Sequence, residues 1–166
     1  MLIRQATTED IAELARVHVA SWRETYAGIV PDDYLARLSA ADRAKSWEKS
    51  FAAAAPPWQT HVLTQNGAIR GFVSAGAARE AEYGLQGELY AIYLLRSVQG
   101  GGWGQKLFKT AQNGLRSQGV RDMYLWVLAE NPTLGFYRHM GGVEIGHKML
   151  DIGGKALKEI ALCWKE

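Results

Sequence analysis

Residues Gly87–Phe108 read GELYAIYLLRSVQGGGWGQKLF, and three kinds of local chemistry succeed one another within them. Glu88 to Leu95 is an apolar and aromatic run of the sort that fills a buried strand. Gly100, Gly101, Gly102 and Gly104 then place four glycines in five positions. From Gln105 the apolar residues Leu107, Phe108, Ala111 and Leu115 recur at helical spacing. A strand that delivers a glycine loop to the start of a helix is an anion-binding arrangement. The first N–H groups of a helix lack internal partners, and the aligned peptide dipoles add positive potential there. Without a Cβ, the backbone lets a phosphate come close.

Spacing narrows the choice of anion. A nucleotide P-loop ends in Gly-Lys-Ser/Thr, and no such ending follows Gly104. The dinucleotide pattern G-x-G-x-x-G fails in both frames, since its last position falls on Gln105 or on Leu107. Asp122 stands only loosely where that pattern's acidic residue belongs. The pattern that fits is Gln99-x-x-Gly102-x-Gly104. With ELYAIYLL before it and AENPTLGFYRHMGG (residues 129–142) after it, the chain resembles the GCN5-related N-acetyltransferase (GNAT) family, whose signature is Arg/Gln-x-x-Gly-x-Gly/Ala between a strand and a helix. The resemblance implies one α/β domain over residues 1–166. Its sheet would be mixed but mostly antiparallel, of about seven strands flanked by helices and splayed at the central strand. It also implies acetyl-CoA, with the pyrophosphate cradled on the glycine loop.

Composition agrees with a single domain. At 166 residues the chain is long enough to bury a real core, and 48% hydrophobic with 22% charged residues is ordinary for a globular protein. A net charge of +2 is too small to point to nucleic acid or an anionic membrane as the main partner. The lone Cys163 has no internal disulfide partner. No run approaches the roughly 20 apolar residues of a membrane span, and Met-Leu-Ile-Arg does not read as a signal peptide. A cytoplasmic protein is expected. Six tryptophans and seven tyrosines suggest aromatic-lined pockets as well as core.

Around this centre the chain divides cleanly. Leu2 to Ala6 reads as a strand, followed by a helix capped by Thr7 with Asp10 three residues on and running to about Tyr26. Pro31 opens a short helix, PDDYLARL, and Ser39 to Ala55 forms another, stopped by Pro56-Pro57. A hairpin turns at Asn66-Gly67 between Thr60–Thr64 and Ala68–Ala77. After the central strand and its helix, Gly119 is the C-cap and Asp122 to Leu128 the next strand. Asn131-Pro132 starts a short helix over Leu134 to Met140, and strands Val143–Leu150 and Ala156–Trp164 turn at Gly153-Gly154. An exposed final strand would leave room for a homodimer.

Acetyl transfer to an amine needs held phosphates, a polarised carbonyl, a deprotonated amine and a protonated leaving thiolate. The resemblance assigns the first to Gln99, Gly100, Gly101, Gly102, Trp103, Gly104 and Gln105. It assigns the carbonyl and pantetheine arm to the backbone about Ile92, Tyr93 and Leu94, which otherwise read as plain core. Tyr137, in FYRHMGG beside Phe136, corresponds to the family tyrosine that protonates the thiolate. Asn131 is the pantetheine-side contact, although capping alone would account for it. Glu88 is the candidate base. Strand alternation puts it on the same side as Ile92, about 13 Å away, a distance suited to a proton passed through water. A strand-end carboxylate in solvent or in a salt bridge is the equal alternative.

The acceptor, a small-molecule amine or peptide N-terminus, is expected between the first two helices, at Trp22, Tyr26 and Ile29 within SWRETYAGIVPDDYL. Packing of that helix on the sheet would explain the same aromatics. His18, His61, His139 and His147 share no metal-ligand spacing with Cys163, so no metal is expected. Two positions depart from the family pattern: Gly101 replaces its usual Lys or Arg, and Gly142 its usual Phe. The rival reading is an acyl-CoA-binding or sensing module without turnover.

Overall fold

The computed structural model describes residues 1–165. One open sheet of seven strands runs through it, in the order β1-β2-β3-β4-β5-β7-β6. The strands are β1 (Leu2–Gln5), β2 (Gln59–Gln65), β3 (Ala68–Ala77), β4 (Gly87–Leu94), β5 (Met123–Leu128), β6 (Val143–Ile152) and β7 (Lys155–Trp164). The helices are α1 (Ile11–Tyr26), α2 (Asp32–Arg37), α3 (Ala40–Ala52), α4 (Trp103–Ser117) and α5 (Leu134–His139). Every neighbouring pair is antiparallel except β4 and β5. That is the mixed, mostly antiparallel α/β sheet expected from the sequence.

Local chemistry fixes most element ends. The Asp10 carboxylate accepts from the Thr7 N–H at 2.8 Å and from the Arg4 guanidinium, so a short 3₁₀ turn leads into α1. Ser39 Oγ accepts from the Asp42 N–H at 3.2 Å and starts α3, which ends at Ala52, three residues before the expected Ala55. Asn66 and Gly67 both adopt positive φ, 51° and 82°, the conformation a two-residue hairpin turn demands. Pro31 flanks α2 rather than filling its first turn. The last helix begins at Leu134, because Asn131 Oδ1 ties up the Thr133 N–H (2.8 Å) and hydroxyl (2.7 Å) in a turn first.

Helices cover both faces of the sheet. On one, the α4 stripe of Leu107, Phe108, Ala111 and Leu115 is buried against Leu63, Val73, Leu89, Leu125 and Leu162. Each leucine or phenylalanine buried there contributes roughly 1.5–3 kcal/mol. The helix comes so near β2 that a Cβ on Gly114 would stand 2.0 Å from Gln59 Oε1. On the other face, α1 and α3 bring Leu14, Ala15, Val17 and Trp47 onto Val62, Ile69 and Phe72. A third cluster joins Tyr26, Val30 and Leu35 to Leu128, Ile152 and Leu157.

The middle of the sheet is open. β4 and β5 pair only at Gly87–Met123 and Glu88–Tyr124, and beyond those residues the ladder has no further rungs. The two strands therefore splay apart at the sheet's centre. One edge-strand expectation needs correcting: β7 lies between β5 and β6, so the sheet's edges are β1 and β6.

Candidate active site

A cavity of about 600 Å³ occupies the gap between β4 and β5. One side of it is the glycine loop. The first helical hydrogen bond of α4 runs from the Lys106 N–H to the Gly102 carbonyl at 3.2 Å, so the N–H groups of residues 103–105 precede it. Gly100 and Gly102 hold φ of 80° and 75°, and around each a Cβ would meet only open space. The positive φ, rather than crowding, is what calls for glycine here. Gln99 closes the loop on the strand by donating from Nε2 to the Leu94 carbonyl at 2.9 Å. Gly100, Gly102, Gly104 and Gln105 line the cavity, whereas Gly101 and Trp103 do not. Trp103 instead lies under Lys106, whose Nζ sits 4.0 Å from its ring centre.

The free edge of β4 forms the next wall. The Leu95 N–H donates to Arg70 on the β3 side at 2.9 Å, and alternation along the paired strand then turns the Ile92 and Leu94 amides toward the gap. These are the two backbone positions singled out from the sequence. Tyr93, between them, points to the opposite face and joins a hydroxyl network. Tyr93 and Tyr26 hydroxyls lie 3.0 Å apart, and Asn131 Nδ2 donates to the Tyr26 hydroxyl at 3.3 Å. Burial pushes both phenols above their ordinary range.

Tyr137, on α5, is 7% exposed and lines the same cavity with Phe136. Burial first, and the neighbouring Tyr26 second, raise its pKa far above the usual tyrosine value. It is therefore a protonated phenol throughout the physiological range. Asn131 is 7% exposed, so it serves the turn before α5 and the Tyr26 hydroxyl at once.

Glu88 is placed differently from expectation. Ala75 pairs with Leu89 and Ser74 with Ala91, leaving Tyr90 as an extra residue on β4. Such a bulge reverses the alternation. Leu89 and Ile92 now share the α4 face, and Glu88 falls on the other. Its side chain is buried, and the residue is 1% exposed. Its carboxylate accepts from the Arg79 N–H (3.0 Å), from Arg79 Nε (3.0 Å) and Nη2, and from the Tyr124 hydroxyl (3.1 Å). It does not line the cavity, although Arg79 does. The salt-bridge alternative describes it.

Of the expected acceptor residues, Trp22 and Tyr26 line the cavity and Ile29 does not. The Ile29 carbonyl accepts from Lys155 Nζ at 2.7 Å, and its side chain packs against the α2 cluster. His18 is set in a box of Trp47, Phe72 and Tyr93 rings at 5.0–5.9 Å. Burial pulls its pKa down to about 3, so it is a neutral core residue. Cys163 is likewise buried, beside Leu85 and Tyr124. Among the described residues no three His, Cys, Asp or Glu side chains group closely enough to hold a metal ion, and no helix is long and apolar enough to cross a membrane.

Sequence reasoning missed Tyr90, Trp126 and Glu159, all of which line the cavity. Glu159 carried a signal: it occupies the same alternate positions of β7 as Leu157 and Ala161, an apolar phase. Nothing local marks Tyr90, whose placement stems from the bulge.

Known proteins share this sequence pattern and this fold. The Acetyltransferase (GNAT) family matches residues 15–141. The uncharacterized N-acetyltransferase YuaI of Bacillus subtilis (strain 168) is 35% identical over 164 residues, covering 99% of this chain and 92% of that protein. Among solved structures, a ribosomal-protein-alanine N-acetyltransferase from Brucella melitensis superposes with a TM-score of 0.77 at 22% identity, over 100% of both chains. The PaiA N-acetyltransferase of Thermoplasma acidophilum, in complex with coenzyme A, gives 0.70 at 20% identity over 99% of this chain and 98% of that one. The splayed sheet and glycine loop define an acyltransferase of the GNAT type. The chain belongs to the acetyltransferase (GNAT) family.

Proposed function

We propose that the protein is an acetyl-CoA-dependent N-acetyltransferase that acts on a primary amine, of a small molecule or a peptide N-terminus, by direct attack. One observation carries this reading: a single cavity is lined both by the glycine loop at the start of α4 and by Tyr137. The coenzyme fits this chain's residues, because Gly100 and Gly102 leave open space where Cβ atoms would stand and, among the described residues, the first-turn N–H groups are uncommitted. When bound, acetyl-CoA supplies an activated acetyl group as a thioester.

The amine attacks in its neutral form, its proton having gone to solvent, and the chain's own groups do the rest. The N–H groups of residues 103–105, with Gly100 and Gly102, hold the pyrophosphate. The amides of Ile92 and Leu94 orient the pantetheine arm and the acetyl oxygen. The Tyr137 hydroxyl would give its proton to the sulfur as it departs, and burial keeps the phenol protonated before that moment. Asn131 holds α5 and Tyr26 in register. Glu88 fixes Arg79 and the closed end of the gap, a positioning part rather than a base.

Thiol release from acetyl-CoA over a panel of primary amines tests this. Tyr137→Phe should lower kcat by about 10²–10⁴-fold, the usual worth of a general acid, with acetyl-CoA affinity unchanged. Binding without turnover on any amine would favour the sensing module instead.

A further inference from the structure

The charged groups on and beside the lining of the cavity do not balance. Two cations there are matched. Arg79 is paired with Glu88, and Lys148 Nζ donates to Glu80 Oε1 at 2.8 Å. Among the described residues that line the cavity, Glu159 is the sole carboxylate. It faces Leu128 across β5 and Lys148 across β6. Yet among the described residues it has no hydrogen-bond or ion-pair partner, because Lys148 reaches past it to Glu80. In doing so the Lys148 ammonium crosses the Trp126 ring at 4.0 Å. Other walls of the same cavity are aromatic: Trp126, Tyr90, Tyr26 and Trp22. A partly buried carboxylate with no partner is costly unless a cation arrives from outside. Aromatic faces attract that same kind of ligand.

We propose that Glu159 is the ammonium-binding group of the acceptor subsite, and that the acceptor is an organic monocation with an apolar or aromatic body rather than an acid or a zwitterion. The inference rests on the acyl-transfer reading of the cavity and adds the class of amine. Three features support it. The unpaired carboxylate selects positive charge, the rings select a hydrocarbon body, and Arg79 is already committed to Glu88, so among the described residues that line the cavity no free Lys or Arg waits for a substrate carboxylate. Burial raises the pKa of Glu159, as expected where a ligand rather than the protein completes its charge pairing.

Phenethylammonium chloride is the probe, with phenylacetate as its anionic counterpart. Each is titrated by calorimetry into wild type, Glu159→Gln and Glu159→Asp, with and without coenzyme A. Phenethylammonium should bind wild type, bind Glu159→Gln about tenfold to a hundredfold more weakly, and regain affinity in Glu159→Asp. Phenylacetate should bind none of them. Coenzyme A affinity should be the same in all three proteins, which separates loss of the subsite from loss of the fold. The proposal is overturned if phenethylammonium fails to bind wild type, binds Glu159→Gln equally well, or binds more weakly than phenylacetate. Failure of coenzyme A itself to bind would instead sink the acyl-transfer reading, while the titrations without it still answer for Glu159.

Discussion

Glu88 and Arg79 are bound to each other by side chain and backbone together, at the point where β4 and β5 stop pairing. A carboxylate that accepts from a backbone N–H, a guanidinium and the Tyr124 hydroxyl has its lone pairs occupied. Such a group holds structure in place. The gap that forms the cavity starts one residue later, so the pair pins its closed end.

Glu88→Ala is therefore expected to act on stability before it acts on chemistry. Arg79 is 64% exposed at its side chain and loses a partner that water largely replaces, whereas the Tyr124 hydroxyl and Arg79 N–H lose theirs in a less wet setting. Urea unfolding should report a loss of about 1–3 kcal/mol. The pH profile of kcat/KM should keep its shape. A lost acidic limb in that profile would restore Glu88 as the base.

A second prediction concerns Gly101, which has an ordinary φ and does not line the cavity. A Cβ there would stand 3.2 Å from Trp103 Cδ1, so the indole must yield by a few tenths of an ångström. Gly101→Lys adds a cation beside the phosphate cradle. Acetyl-CoA affinity should rise about threefold to tenfold, and the gain should shrink in high salt. Unchanged affinity would mean that the phosphates do not sit on this loop.

The pKa of Glu159 leads to a prediction about stability and pH. Burial raises it first, Glu80 adds to the rise, and Lys148 and Arg79 oppose it. A carboxyl whose folded pKa lies above its unfolded one favours the folded state when protonated. That contribution is present at low pH and lost as pH rises through the folded value. At neutral pH the charge is a burden on the fold. Glu159→Gln should accordingly raise Tm at pH 7 and leave it nearly unchanged well below the carboxylate range. A lower Tm at pH 7 would show that the charge has a stabilising partner.

Most of the architecture was legible because local chemistry writes it plainly. The Asn66-Gly67 turn, the Gly119 cap, the apolar stripe of α4 and the glycine loop all stem from residue types at fixed spacing. The acid–base partners were harder to read. Tyr90 is an extra residue in β4, and one inserted residue turns Glu88 to the face opposite Ile92. Alternation predicts that face correctly only where pairing is regular, and a bulge depends on the facing strand. Glu159 enters the cavity from β7, thirty-one positions beyond its neighbour Leu128, so only the assembled sheet brings it there. Ile29 failed for a related reason: the backbone turns at Gly28, φ 79°, and carries it toward Lys155.

The central claim is that the gap between β4 and β5, with the glycine loop at its rim, holds acetyl-CoA. Calorimetric titration of the protein with acetyl-CoA tests it most directly, with NAD and ATP as controls and Gly102→Val as the loop variant. Val at φ 75° is strained and sets a branched side chain where the phosphates would lie. The account predicts that acetyl-CoA alone binds wild type and that Gly102→Val, still folded, binds it at least about tenfold more weakly. Equal binding by both proteins, or a preference for NAD or ATP, would contradict it.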